Sequence, residues 1–180
     1  PALTSARSPA ELLRIGREQG KTIALALEPE PACFLETTAQ AVAFFERDVF
    51  GGAACSTLAE LAGLDARGAE RALRRHVGVC LDTCHGSVEF ERPLDALATL
   101  GAAGIAVPKI QITAGLRLVG AGAKKLEALR AFDDGVYLHQ TVVRTGAGAF
   151  VRFVDLPPAF EAGGGLRGDS GGPVHFHDPV

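Results

Sequence analysis

The sequence has no long apolar run and no strong excess of charge of either sign. No run reaches the roughly 18 residues of a membrane-spanning helix, and no secretory signal peptide opens the sequence. The formal net charge is −3 and the isoelectric point is about 6.0, so charge gives no indication of a nucleic-acid or membrane surface. A content of 47% hydrophobic and 22% charged residues is typical of a soluble globular domain.

Cysteine is scarce and methionine is absent. The cysteines have no C-x-x-C spacing, which argues against a structural zinc site. We expect them to be reduced and mostly buried, as in a cytoplasmic protein. Because the sequence starts at Pro1 without any methionine and stops at Val180 after an apolar stretch, we expect a fragment truncated at both ends. The four cysteines are Cys33, Cys55, Cys80 and Cys84.

The first two thirds of the sequence alternate between strand and helix patterns. "SPAELLRIGREQG" predicts a helix with Ser8 as N-cap, Pro9 at its first position and Gly20 at its end. Short apolar runs separated by amphipathic segments predict a parallel sheet with right-handed helical crossovers. The predicted strands are "KTIALALE", "VGVCL" and "VPKIQIT", and the further predicted helices are 38–49, "STLAELAGL" with Ser56 as its cap, "DARGAERALRRH", "PLDALATLGAAG" and "AKKLEALRAF".

Beyond Asp133 the pattern becomes that of an antiparallel hairpin. "GVYLHQTVV" and "GAFVRFVDL" flank the turn-like segment "RTGAG". "AGGGLRGDSGG" predicts a glycine-rich loop, and "PVHFH" predicts a last short strand. We interpret residues 134–173 as a hairpin and loop insertion within a single domain that spans residues 1–180.

Polar residues stand at the ends of the predicted strands. Glu28 ends the first strand, Asp82 the second and Gln111 the third, while the last strand carries His175 and His177. The carboxyl ends of parallel strands meet at one edge of a sheet or one face of a barrel. Carboxylate, imidazole and amide groups meeting there suit a divalent cation such as Mn²⁺, Mg²⁺, Zn²⁺ or Fe²⁺.

The alternative interpretation is that these acidic residues are ordinary helix N-caps. Glu28 is a poor cap residue, because glutamate is not among the preferred N-cap types. Asp82 precedes Cys84, His85 and Gly86 rather than an evident helical run. Both observations favour the metal site over the caps.

The segments "LALE" and "GVCLDTCH" resemble the xylose-isomerase-like TIM barrels, which include sugar isomerases, epimerases and endonuclease IV. In those families the Glu and the Asp of D-x-x-H are metal ligands, and the His binds substrate or a second metal. The resemblance implies these roles for Glu28, Asp82 and His85. In ketose epimerases a ligand His on the next strand is followed six residues later by a substrate-binding Arg. Gln111 and Arg117 occupy those two positions here, so that an oxygen ligand replaces the imidazole.

From Thr22 to Pro179 the sequence is similar to that of the EboE-type metabolite-traffic branch of this superfamily. The segments that carry the similarity are "LALEPEP", "CLDTCH", "VPKIQITAGL", "YLHQ", "FVDLP" and "HFHDP". The resemblance implies an α/β fold, a partial (β/α)₈ TIM barrel with about three to four of the eight strands, since a whole barrel needs roughly 250 residues.

The resemblance also implies a metal-dependent sugar isomerase- or epimerase-like protein that acts on or handles a small sugar-like or phenolic metabolite. It also implies partner proteins of a metabolite-export system, while the expected cytoplasmic location rests on the reduced cysteines. Lys109 shares the direction of Gln111 by the two-residue period of a strand, and we interpret it as a buried lysine that contacts substrate. The expected roles are catalysis for Glu28 and Asp82; metal binding for Glu28, Asp82, His85, Gln111 and His177; and substrate binding for His85, Lys109, Arg117 and His175.

Two alternatives remain. A non-enzymatic module could bind and hand over a metabolite with the same residues, and Gln111 in place of His favours this. An abasic-site endonuclease would fit "CLDTCH", but it needs three metals, more histidines and a basic groove for phosphates, and the sequence has five histidines and no basic patch.

The string "GDSGGP", residues 168–173, is also found around the nucleophilic serine of trypsin-like proteases. Such proteases are all-β, with a catalytic His in an Ala-Ala-His-Cys setting far upstream, and neither feature is present here. Because a catalytic triad is defined by geometry and not by a string, we interpret the segment as a loop of turn-forming residues.

Overall fold

The computed structural model describes residues 2–118, 127–145, 147–162 and 174–177; of residues 2–5 and 174–177 it describes the backbone. The chain divides into two compact units. Unit 1 contains residues 1–29, 38–81 and 94–111, and unit 2 contains residues 30–37, 82–93 and 112–180. Within the described ranges, no helix has both the length and the apolar character needed to cross a membrane.

Unit 1 is built on a short parallel sheet in the order β1-β2-β3. β1 pairs with β2 in parallel, with Leu25 opposite Val77. Every residue of β2 is buried, as the apolar run predicts. The predicted strands are confirmed, although the outer two are only three residues long. The elements are α1 (Ala2–Gln19), β1 (Leu25–Leu27), α2 (Thr38–Phe44) with a π-helical turn (Phe45–Val49), α3 (Gly52–Ala62), α4 (Ala66–His76), β2 (Val77–Asp82), α6 (Pro93–Ala102) and β3 (Lys109–Gln111).

Two hydrophobic clusters hold unit 1 together. The first packs α2 and its π-helical turn, with α6, on the sheet around the fully buried Phe45 and Leu100. The second joins α1, α3 and α4 around Leu58 and Leu73. Burying a side chain of this size contributes about 1.5–3 kcal/mol, so these clusters supply the main stabilisation of the sheet.

The predicted starts of two helices are wrong. α1 begins before Ser8 and contains Pro9 inside it, because a single proline removes one backbone hydrogen bond without ending a helix that is otherwise favourable. α3 begins four residues before Ser56, with Gly51 as the cap residue whose carbonyl accepts from the Cys55 N–H at 3.1 Å. The predicted end at Gly20 is confirmed by its positive φ of 66° and its N–H bond to Gly16.

Unit 2 contains an antiparallel sheet in the order β4-β7-β5-β6. The predicted hairpin is confirmed, with Val142 opposite Arg152. β4 and α7 were not predicted from the sequence. The predicted helix "AKKLEALRAF" lies outside the described residues up to Leu126 and is helical at 127–129. The elements are α5 (Thr83–Val88), β4 (Gly115–Leu118), a 3₁₀ turn (Arg130–Phe132), β5 (Thr141–Arg144), β6 (Phe150–Phe153), α7 (Leu156–Ala162) and β7 (Val174–His177).

The architecture is mixed α/β, as predicted. The described strands form these two open sheets and do not close into a barrel. The glycine-rich part of the predicted insertion, including the motif at 168–173, lies outside the described residues. None of the four cysteines forms a disulfide, as expected, but only Cys80 and Cys84 are buried, while Cys33 is exposed and Cys55 half-buried.

Candidate functional site

Glu28 is held by a chain of hydrogen bonds within unit 1. It follows β1 directly, and its Oε1 accepts a hydrogen bond from Gln111 Nε2 at 2.7 Å. Gln111 Oε1 accepts from the Lys109 ammonium at 2.6 Å. The parallel sheet therefore brings together the predicted residues Glu28, Gln111 and Lys109, and the predicted common direction of Lys109 and Gln111 is confirmed. The prediction that Lys109 is buried is wrong, because β3 is the last strand in the sheet and Lys109 is exposed.

Asp82 ends β2 and is also the N-cap of α5 in unit 2. Its Oδ1 accepts from the Cys84 N–H at 2.7 Å, the His85 N–H at 3.2 Å and Thr113 Oγ1 at 2.6 Å. The argument that no helix follows Asp82 is therefore wrong, since "TCHGSV" forms a six-residue helix. Asp82 is only 5% exposed, and the hydrogen bonds fix its carboxylate in one orientation.

The environment of Asp82 favours its ionised form. Burial alone would raise the pKa of Asp82. The hydrogen bonds from Thr113 and from the backbone of His85 and Cys84, with the electrostatic interaction with His85, outweigh burial and hold the pKa of Asp82 below its ordinary value. The carboxylate is thus charged at neutral pH, as a ligand for a cation must be.

Replacing Asp82 by asparagine should flatten the acid limb of the stability curve. The ionised Asp82 stabilises the folded chain above its unfolded-state pKa, near 3.8, and this contribution is lost as the pH falls through the lower folded-state pKa. Urea unfolding in the presence of a chelator should show a steeper loss of stability below about pH 4 in the wild-type chain than in Asp82→Asn. Equal slopes would contradict the depressed pKa.

His85 and Thr113 complete the surroundings of Asp82 in unit 2. His85 is buried in α5, one turn from the Asp82 cap. Thr113 also exchanges hydrogen bonds with Thr83, donating its N–H to Thr83 Oγ1 at 2.9 Å and accepting from that hydroxyl through its carbonyl at 2.6 Å. Thr113 was missed by sequence reasoning. Its signal in the sequence was its place as the last residue of the predicted strand "VPKIQIT".

The late histidines lie in a different sheet from the one predicted. β7 pairs antiparallel with β4 and β5, so His175 and His177 do not end a strand of the parallel sheet. β7 has only four residues, and so short a strand does not show whether its apolar pattern is continuous, as in a parallel sheet, or alternating, as in an antiparallel one. Arg117 lies opposite His175 in the β4–β7 register, and His177 lies opposite Gly115. Arg117 and His175, both predicted to bind substrate, are therefore cross-strand neighbours in this sheet.

A buried ion pair in unit 2 was also missed. Glu89 has a fully buried side chain. The Arg152 Nε–H is shared between both of its carboxylate oxygens at 3.1 Å, and Arg152 Nη2 donates to Oε2 at 2.5 Å. Glu36 lies 3.8 Å from the same guanidinium. Hydrogen bonding to Glu89 raises the pKa of Arg152 above its ordinary value. This pair joins α5 to β6 and has a structural role.

Comparison with protein-family models, with curated proteins and with solved structures returns no match for this chain. The geometry of the hydrogen bonds around Glu28 and around Asp82 is therefore the basis for assigning a function.

Proposed function

We propose that this chain is part of a xylose-isomerase-like TIM barrel of the EboE type that binds a divalent cation and acts on or handles a small sugar-like or phenolic metabolite. The observation that carries the proposal is that Glu28 and Asp82 stand at the carboxyl ends of the neighbouring parallel strands β1 and β2. Each carboxylate is oriented by hydrogen bonds within its own unit.

The proposed ligands are Glu28, Asp82 and His85, which offer two carboxylate oxygens and one imidazole nitrogen. This donor set fits Mn²⁺, Mg²⁺, Zn²⁺ or Fe²⁺. Asp82 supports the fit because its depressed pKa keeps the carboxylate ionised. His177 stays a predicted further ligand, and Lys109, Arg117 and His175 stay predicted substrate-binding residues.

The chain's own groups would orient the metabolite and move a proton. A bound divalent cation supplies Lewis-acid polarisation of a carbonyl or hydroxyl. A Glu28 carboxylate oxygen would accept or return the proton of the metabolite, as general acid–base chemistry requires. Arg117 would bind a polar group of the metabolite by its guanidinium. A fold resemblance does not define a reaction, so turnover is tested separately from binding.

The proposal is tested by metal content and by calorimetric titration with Mn²⁺. We expect near-stoichiometric binding by the wild-type chain and a loss of affinity of more than about 100-fold in Asp82→Asn and in Glu28→Gln, because changes in outer-shell partners alone cost about 10- to 100-fold. Glu60→Gln, which changes an exposed carboxylate of α3, should bind like wild type. Absence of metal binding by the wild-type chain would overturn the proposal.

Metabolite binding and turnover separate the enzyme from the binding module. Sugars and phenolics are titrated into the Mn²⁺-loaded chain, and the mixtures are then analysed for conversion. Isomerised or epimerised product that disappears in Asp82→Asn would support an enzyme. Heat of binding without any product would support a metabolite-handling module. Nicking of abasic duplex DNA would overturn both in favour of a nuclease.

A further inference from the structure

We propose that Gln111 is a positioning residue for Glu28, with its amide locked in orientation by Lys109, and that it is not itself a metal ligand. This inference rests on the proposed function, since Glu28 is one of the proposed ligands. It concerns three residues of unit 1 joined in one line: the Lys109 ammonium donates to Gln111 Oε1 at 2.6 Å, and Gln111 Nε2 donates to Glu28 Oε1 at 2.7 Å.

The orientation of the Gln111 amide follows from the chemistry of its two neighbours. An ammonium group has only donors, and an ionised carboxylate has only acceptors. Only the orientation with Oε1 toward Lys109 and Nε2 toward Glu28 satisfies both. A reversed amide would place its N–H groups against the ammonium and its oxygen against the carboxylate, which makes both contacts repulsive.

The same arrangement disfavours Gln111 as a ligand. Oε1 is the only oxygen of the side chain, and the Lys109 ammonium already lies 2.6 Å from it. A divalent cation on that oxygen would lie next to a second positive charge, and the two would repel each other. Gln111 therefore supports a proposed ligand and does not act as one.

Gln111 acts on Glu28 across the middle strand of the sheet. β1 and β3 lie on opposite sides of β2, so their backbones are about 9–10 Å apart. Two long side chains are needed to meet over the end of β2, and Glu28 and Gln111 have that length. By donating to Glu28 Oε1, Gln111 fixes the rotation of the Glu28 carboxylate. Hydrogen bonds from residues outside the ligand set orient metal ligands in this way.

The first test uses the chain without metal, so it does not depend on the proposed function. In a two-dimensional ¹H–¹⁵N spectrum, the Gln111 side-chain amide should give a dispersed pair of resonances that exchange slowly with water. The pair should move to the region of free glutamine side chains in Lys109→Met and in Glu28→Ala. Gln19→Leu, which changes an exposed glutamine at the end of α1, is the assignment control. It should leave the dispersed pair in place. Random-coil positions in the wild-type spectrum would overturn the inference.

The second test uses Co²⁺ as a spectroscopic probe of the ligand set. Gln111→Leu should weaken Co²⁺ binding about 10- to 100-fold. The visible ligand-field bands of the saturated complex should keep their positions and intensities, because no ligand is removed. A changed band pattern at saturation would show that Gln111 is a ligand and would overturn the inference. If the wild-type chain binds no Co²⁺, the proposed function fails, and the metal-free spectrum alone decides the role of Gln111.

Discussion

Gly78→Ala is expected to destabilise the chain by about 3 kcal/mol, because the methyl group of the alanine would overlap the segment before β3. Gly78 lies in the buried central strand β2. A Cβ at this position would lie 2.4 Å from the Ala106 carbonyl oxygen and 2.6 Å from Pro108 Cδ. The Val79 N–H donates to the Ala106 carbonyl at 2.9 Å, so a shift of this segment would also break a backbone hydrogen bond of β2.

Urea unfolding followed by circular dichroism measures this effect. Gly101→Ala in α6 is the matched control, because nothing lies within 4 Å of its added Cβ. It should raise the free energy of unfolding by about 0.5–1 kcal/mol through helix propensity. A Gly78→Ala chain within about 1 kcal/mol of wild type would show that the segment before β3 does not pack closely on β2.

The parts of the fold that could be predicted from sequence are those decided by local chemistry. Such signals mark the end of α3 and the start of α4. Gly63 provides the left-handed turn that ends α3, and Asp65 caps α4 by accepting from the Gly68 N–H at 2.7 Å. β2 is recognisable because its apolar run is short and continuous. α7 could not be predicted in the same way, because its second and third residues, Pro157 and Pro158, read as a loop signal even though proline is tolerated in a first helical turn.

In the candidate site, too, the residues that could be predicted are those decided by local sequence. The ends of strands β1, β2 and β3 identify Glu28, Asp82 and Gln111, since chain direction and strand periodicity are enough to align them. The side-chain partner Thr113 of Asp82 is 31 residues away and could not be identified in this way. Its second role as the cap of α5 was hidden by a helix of six residues that contains glycine and β-branched side chains, both poor helix formers.

The pair Glu89–Arg152 could not be predicted, because its members are 63 residues apart and meet only through the packing of unit 2. Unit 2 also contains a small hydrophobic cluster in which Cys84, Val88 and Val142 are buried. Neither residue lies in a pattern that distinguishes a buried charge from a solvated one. Local sequence carries no information about which arginine will cover a particular carboxylate.

Arg152→Met should destabilise the chain by about 2–3 kcal/mol, the second of the two largest effects. The methionine keeps much of the apolar stem but leaves the fully buried Glu89 carboxylate without its guanidinium, and breaking a buried pair from one side costs about 3–5 kcal/mol. We expect the lower part of that range or less, because the Arg152 side chain is itself 38% exposed.

A double-mutant cycle isolates the interaction within this pair. Glu89→Gln combined with Arg152→Met should be less destabilised than the sum of the single changes, because the double variant leaves no unpaired buried charge. Arg47→Met, which breaks an exposed pair with Asp48, should change the free energy of unfolding by less than about 0.5 kcal/mol. Additive effects of the two single changes, or an Arg152→Met chain as stable as the Arg47→Met control, would show that Glu89 does not depend on Arg152. The expected non-additivity would instead establish that this buried carboxylate is stabilised by one arginine on β6, and that the α5 segment carrying Asp82 and His85 is anchored through it.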